Sequence, residues 1–238
     1  MKTTPLLFKA EMVRAILLEI DPKTQTRRTE GLDAVNAAPD DWKPLFIHPV
    51  TWIKNQKPTV QFLNIRTRLI VDCISKKGMP GDQIWVKETF CYDDFGDPIY
   101  RATEPDQGCS HPEDMSPWKP SIFMPRKSSR ITLELTEVRV ERLNEISEAD
   151  AIAEGVNPHV EAKWWQGYRK DDPLMHTCAE ADENGNPRVW IIEAKPYRDL
   201  SHLNRTAKQE YAILWESIND PGSWAANPFV WVYEFKKL

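Results

Sequence analysis

Phe229-Val230-Trp231-Val232-Tyr233-Glu234-Phe235 is a run of strand formers near the C-terminal end, and its apolar residues fall on both alternating faces. A strand that is apolar on both faces is expected in the interior of a sheet. Upstream of it, Tyr211, Leu214, Trp215 and Ile218 recur at helical spacing from about Thr206, and Asp220-Pro221-Gly222 ends that helix. Ile131, Leu133 and Leu135 alternate as in a strand, but the apolar phase then slips to Val138 and Val140. A β-bulge near Thr136-Glu137 accounts for the slip. Ser147 followed by Asp150 reads as a helix start leading into Ala151-Ile152-Ala153-Glu154, with Gly155 as the stop.

The N-terminal half continues the mixed pattern. Residues 69–74 and 83–91 read as neighbouring strands on either side of the turn-forming Gly78-Met79-Pro80-Gly81-Asp82. Between Lys9 and Ile20, Met12, Val13, Ile16, Leu17 and Ile20 mark an amphipathic helix that Pro22 stops. Asp21, preceding proline, is expected to be extended, and Lys23 to open a turn or strand. Three proline- and tryptophan-bearing stretches, 29–68, 92–118 and 157–204, fit the scheme poorly and read as insertions. Hairpin-like turns fall within two of them, at Asp94-Phe95-Gly96-Asp97 and Glu183-Asn184-Gly185-Asn186.

A length of 238 residues fits a single elaborated domain spanning 1–238. The net charge of −5 argues against a protein that grips nucleic acid through bulk positive potential, because counterion release requires clustered Lys and Arg. Locally the balance differs: residues 1–28 carry a positive excess through Lys2, Lys9, Arg14, Lys23, Arg27 and Arg28. Ten Trp residues exceed the needs of an ordinary core, so some are expected to line a pocket or groove. The four cysteines form no CxxC pair and no signal peptide is evident, which points to a reducing cytoplasm. No apolar run reaches the roughly 18 residues of a membrane span.

Within Lys23-Thr24-Gln25-Thr26-Arg27-Arg28, a base, a hydroxyl nucleophile and two guanidinium groups lie together just after a proline stop. A threonine hydroxyl needs a partner to take its proton, and a desolvated Lys beside other cations has its pKa lowered toward that task. The alternative is a basic edge strand that merely faces solvent. Met124-Pro125-Arg126-Lys127-Ser128-Ser129-Arg130 is a second basic cluster, suited to phosphate or carboxylate oxygens, or to a solvated loop. Trp85 and Glu88 lie on opposite faces of the strand that follows Gly81-Asp82. Glu154 at a helix end would serve as general acid or base if buried. Cys109, His111, His176 and Cys178 would supply a two-Cys, two-His zinc set, but without a familiar ligand spacing, so no metal and no cofactor is assigned. Walker, dinucleotide-binding, nucleophile-elbow and zincin motifs are all missing.

Taken in order, KTQTRR, GDQIWVKETF, KPSIFMPRKSSRITLELTEVRVERL, AIAEG and NPFVWVYEFKKL resemble the ASCH domain in its long bacteriophage or prophage form. The resemblance covers about 5–28, 69–91, 119–156 and 205–238. It implies an α+β, PUA-like fold, a small mixed β-barrel flanked by helices, here with three sizeable insertions. A much shorter bacterial N4-acetylcytidine amidohydrolase of that family carries a Lys-x-x-Thr pair beside its first helix and a distant Glu in a short helix. Lys23, Thr26 and Glu154 match those positions and are the expected catalytic set. Arg28 is the expected anchor, with Arg27, Trp85, Glu88, Arg126 and Arg130 as further substrate contacts. Phe123 and Lys127 depart from the His and Trp frequent in phage-type members, so no chemistry is assigned to them. The resemblance implies an amidohydrolase acting on N4-acylated cytosine nucleosides or related bases in a bacterial host cytoplasm. Alternatives are a non-catalytic RNA or single-stranded nucleic-acid reader, or a ribonuclease.

Overall fold

The computed structural model describes residues 2–18, 22–45, 57–93, 95–103, 118–156 and 206–238, with the backbone of 180–181 and 187–188. In chain order these form β1 (Thr3–Leu7), α1 (Ala10–Leu17), β2 (Gln25–Arg28), α2 (Asp33–Asn36), β3 (Trp42–Pro44), β4 (Thr59–Asn64), β5 (Ile70–Ile74) and β6 (Gln83–Lys87). There follow β7 (Phe90–Tyr92), β8 (Pro98–Tyr100), β9 (Thr132–Arg142), α3 (Glu148–Ala153), the two-residue strands β10 (Glu180–Ala181) and β11 (Pro187–Arg188), α4 (Ala207–Ile218) and β12 (Phe229–Lys237).

The main sheet has the order β1-β6-β9-β12-β2, with β1 and β6 parallel and the other pairs antiparallel. A three-stranded sheet β3-β4-β5 and the small pairs β7-β8 and β10-β11 complete the strands. The architecture is therefore α+β. Among the described residues the main sheet is not closed into a barrel, since its edge strands β1 and β2 share no ladder. A side chain reaches between them: Arg28 of β2 donates to the main-chain carbonyl of Leu7 in β1 at 3.1 Å.

β12 lies in the sheet interior between β9 and β2, and its two-sided apolarity has a physical cause. Trp231, Tyr233 and Phe235 face a core shared with Phe62 of β4, Ile84 of β6 and Ile16 of α1. Val230 and Val232 face a second core with Ala151 of α3 and Tyr211 and Trp215 of α4. Each large side chain so enclosed stabilises the fold by about 1.5–3 kcal/mol relative to exposure, which is why a polar residue on either face of Val230–Tyr233 would be costly. The phase slip in β9 is a bulge: Glu234 pairs with Glu137 but Phe235 with Leu135, leaving Thr136 without a partner in the register. Helix α4 starts on a capping box, with Thr206 and Gln209 each accepting from the other's backbone N–H.

Two expectations are corrected. β5 does not neighbour β6; it pairs with β4, which lies in a stretch whose mixed composition concealed a strand. Residues 83–91 are not one strand but β6 and β7, broken at Glu88-Thr89, where the buried Glu88 carboxylate turns to Arg130. Residues 29–68, read as an insertion, supply Leu32, Val35, Val60 and Phe62 to the larger core. The turn near Asp94 connects β7 and β8, with the Asp93 N–H donating to the Asp97 carbonyl at 2.9 Å, while Asp94 itself is outside the described residues. The turn at 183–186 is also outside them, although the flanking β10 and β11 pair antiparallel. The expected extended geometry of Asp21 likewise falls on an undescribed residue. Among the described residues no helix is long and apolar enough to cross a membrane.

Trp231, fully buried at the centre of β12, gives a direct check of this two-core arrangement. Trp231→Ala is expected to lower unfolding free energy by about 3–5 kcal/mol in urea titrations. Ile122→Ala, at a site 61% exposed, should stay within about 0.5 kcal/mol of the parent.

Candidate functional site

Lys23 precedes β2, so strand alternation does not set the direction of its side chain. Its place is set by the backbone instead. The Lys23 N–H donates to Ala15 of α1 at 2.9 Å, the Thr24 N–H to Ala153 of α3 at 2.9 Å, and the Phe235 N–H of β12 to Thr24 at 2.8 Å. The two-residue link is thereby held against two helices and the central strand. The Lys23 side chain runs into the interior, with Nζ 2.6 Å from Glu154 Oε2 and also donating to the Glu154 main-chain carbonyl.

Glu154 arrives from the opposite direction. Ser147 caps α3 by accepting from the Asp150 N–H at 3.0 Å, and Glu154 is the residue that closes the helix. Gly155 then adopts φ of +86°, the left-handed conformation in which side chains are strained. A Cβ there would lie 2.7 Å from the Ala15 Cβ and 3.2 Å from the Lys23 Cβ. Absence of a side chain at Gly155 thus lets the end of α3 come close enough for its carboxylate to meet the lysine.

Arg27 completes the cluster. Its Nη1 lies 3.1 Å from Glu154 Oε1, its Nε donates to Glu141 Oε1 at 3.1 Å with a closer contact through Nη2, and Asp150 Oδ2 is 3.6 Å away. The guanidinium also stands 5.8 Å from the ring centre of Tyr211. Removing charges of this kind from water costs several kcal/mol per ion, so each must find partners: Lys23 pairs with Glu154, and Arg27 with Glu154, Glu141 and Asp150.

These groups border a cavity of about 240 Å³ whose wall includes Lys23, Thr26, Arg28, Glu154, Tyr211 and Trp215. Burial lowers the Lys23 pKa more than the neighbouring Glu154 carboxylate raises it, and the Arg28 and Arg27 charges push in the same direction as burial. Burial also lowers the Arg28 pKa, whereas it pushes the Tyr211 phenol well up with help from Glu154. The Trp215 indole N–H is buried without a hydrogen-bond partner among the described residues. The site therefore offers a hydroxyl, a lysine shifted toward its free-amine form, a carboxylate and guanidinium donors around one space.

Of the residues singled out in the sequence, Lys23, Thr26, Arg27, Arg28 and Glu154 all line this cavity, and Trp85, Glu88, Arg126 and Arg130 do not. Glu88 is buried and accepts from Arg130 through two bonds of 2.9 Å, while Arg130 stacks 4.0 Å over Tyr100. Arg126 and Lys87 flank the Trp85 ring at 5.7 and 5.5 Å. The spacing of Tyr211 and Trp215 places them only on a helix's apolar face; their position on the cavity wall, with Tyr211 beside Arg27, depends on how α4 docks, which spacing does not reveal. Cys109, His111, His176 and Cys178 lie outside the described residues, and among the described residues no group of three or more His, Cys, Asp or Glu could hold a metal. No family model matches the chain, and comparison with curated proteins and with solved structures returned no match.

Gly155→Ala is expected to separate Glu154 from Lys23 and to destabilise the fold by more than the roughly 1 kcal/mol of left-handed strain, because the Ala15 contact cannot relax cheaply. Urea titration measures the loss. A pH effect follows from Lys23 as well. Its folded-state pKa lies below 10.5, so between that value and 10.5 the unfolded chain holds a proton that the folded chain has released. Stability should rise with pH across this interval, and Lys23→Met should lack that rise. Denaturation midpoints collected up to pH 10 test it, before the buried phenols of Tyr211 and Tyr233 (the latter pushed up to about 12) impose the opposite slope.

Proposed function

We propose that the chain is an ASCH-type, PUA-like domain that works as an amidohydrolase on N4-acylated cytosine nucleosides or closely related bases. The observation that carries this reading is the meeting of Lys23, Thr26 and Glu154 on one cavity wall, with the lysine amine buried against the glutamate. The mixed sheet with its flanking helices is compatible with that fold. A cavity of about 240 Å³ is somewhat below the roughly 300–1,000 Å³ of drug-sized ligand sites, which favours a small ligand over a polymer.

In this mechanism the Thr26 Oγ attacks the acyl carbon of the exocyclic amide while Lys23, in its amine form, takes the hydroxyl proton. The tetrahedral adduct collapses with cleavage of the C–N bond. The proton held by Lys23 passes, with Glu154 assisting, to the departing N4 amine, leaving an ester on Thr26. Water, activated by the same lysine, hydrolyses that ester to the free acid and restores the hydroxyl. Arg27 keeps the Glu154 carboxylate oriented through its 3.1 Å contact. The lowered Lys23 pKa supports the general-base role, since an ordinary lysine would be almost wholly protonated near neutrality.

A second reading, a non-catalytic reader of RNA or single strands, draws on Trp85, whose ring is flanked by Lys87 and Arg126 and is suited to stacking a base beside a phosphate. Incubation with N4-acetylcytidine, N4-acetylcytosine and labelled RNA separates the readings. Release of acetate by the wild type, reduced at least about a thousandfold in Thr26→Ala, is the expected result. Intact acylated substrates together with a salt-sensitive RNA shift would instead favour the reader, and cut RNA a ribonuclease. The rate should also rise with pH through the depressed Lys23 pKa, as expected for a base active when deprotonated.

A further inference from the structure

The cations around the cavity fall into two kinds. Lys23 and Arg27 are neutralised by carboxylates, the first by Glu154 and the second by Glu154, Glu141 and Asp150. Arg28 is not. Its Nη1 donates to its neighbour's carbonyl, that of Arg27, at 2.9 Å, its Nη2 donates to the Leu7 carbonyl at 3.1 Å, and its guanidinium lies 5.4 Å from the Phe8 ring centre. All of these described partners are uncharged. The nearby Glu30 is engaged elsewhere, by Lys77 at 2.8 Å and Lys76 at 3.7 Å.

Arg28 is only half-buried, yet surrounding atoms desolvate its guanidinium enough to lower its pKa. The Glu154 and Glu30 carboxylates attract it through space, but among the described residues none forms an ion pair with it, so its pairing is incomplete. The same wall contains Lys9, whose Nζ donates to the Ser217 carbonyl at 3.3 Å, and the first turn of α1, which no side chain caps. Lys9 adds positive potential to this wall, while Glu11 offsets that of the helix start. Glu154, the one carboxylate among the described residues of the cavity wall, is already shared by two cations.

We infer that the cavity takes a phosphorylated ligand, with Arg28 binding a phosphate group while the base lies toward Lys23, Thr26 and Glu154. This rests on the amidohydrolase reading for the identity of the base, and it makes the substrate a nucleotide rather than a free nucleoside. The donors that Arg28 does not spend on Arg27 and Leu7 suit phosphate oxygens, and its contacts with those carbonyls and Phe8 restrict the head group beforehand.

The test compares N4-acetylcytidine with its 5′-monophosphate in turnover, and cytidine with cytidine 5′-monophosphate in calorimetric binding, using the full chain. The wild type is expected to favour the phosphorylated member of each pair at least about tenfold, with the turnover difference mainly in KM. Arg28→Gln should bring both ratios near one, and Arg28→Lys, which keeps the charge without the fork, should recover part of them. Equal or better handling of the neutral members by the wild type overturns the phosphate site, and leaves the amidohydrolase reading intact if acetate is released. Arg28-dependent binding of cytidine 5′-monophosphate without acetate release supports the phosphate site and removes the amidohydrolase reading. Should Arg28→Gln fail to fold, the wild-type ratios and Arg28→Lys still decide.

Discussion

The contact between the Lys23 ammonium and the Glu154 carboxylate, 2.6 Å apart and both almost fully buried, is the constraint on which the arrangement around it depends. Opposite charges in the interior must be brought together accurately or they cost more than they contribute, and losing one partner leaves a penalty of about 3–5 kcal/mol. The chain meets this demand with ordinary backbone devices. Hydrogen bonds from residues 23 and 24 to α1 and α3 fix one partner, and the Ser147 cap with the left-handed Gly155 fixes the other. Neither device requires charge. The scaffold can therefore hold the ions in place independently of their own attraction, as preorganised chemistry needs.

The sheet interior serves the same end. Because Val230 and Val232 face α3 and α4 while Trp231 and Tyr233 face the other core, β12 couples the two halves of the molecule through one strand. β2 pairs with that strand, Arg27 opposite Val232 and Thr26 opposite Tyr233, so both site residues inherit its rigidity. Arg27 then crosses to Glu141 on β9 and Glu154 beyond α3. Sheet order and charge network reinforce one another here, since the side chain of an edge strand is clamped by groups from three other parts of the chain.

Much of this was legible in the sequence where the signal is local. The two-faced apolarity of 229–235, the phase slip at Thr136, the Ser147 start and the Gly155 stop each report a nearest-neighbour preference, and each corresponds to the structural feature expected of it. Lys23, Thr26, Arg27, Arg28 and Glu154 fall on the cavity wall, the last through a helix end that is a local signal as well, whereas the first helix, expected to run to Ile20 and stop at Pro22, already ends at Leu17. Pairing between distant segments was not legible. β5 reads equally well against β6 or β4, and the partner is chosen by packing that includes Phe62 and Val60 from a stretch without clear periodicity. Glu88 and Arg130 look like binding groups in isolation, yet 42 positions apart they complete a bidentate pair. Tyr211 and Trp215 were hidden for a different reason: an aromatic residue on an apolar helix face gives the same pattern whether it fills a core or walls a cavity.

The distribution of charge separates what maintains the site from what is left to act in it. Arg27 has three carboxylates about it, an excess of negative partners that ties it to the scaffold and makes it a poor ligand for anything arriving from solvent. Lys23 has one, shared with Arg27, and burial works against the charge it carries, so its proton is the more easily given up. Arg28 has only uncharged described partners. Along this short segment, then, three basic groups pass from one whose charge burial disfavours, through one held by three carboxylates, to one that no carboxylate contacts among the described residues. A solvated basic strand has no reason to show such a gradient, because water would screen all three alike. The difference arises from burial and from where Glu154, Glu141 and Asp150 lie, and that is what distinguishes this segment from a basic surface patch.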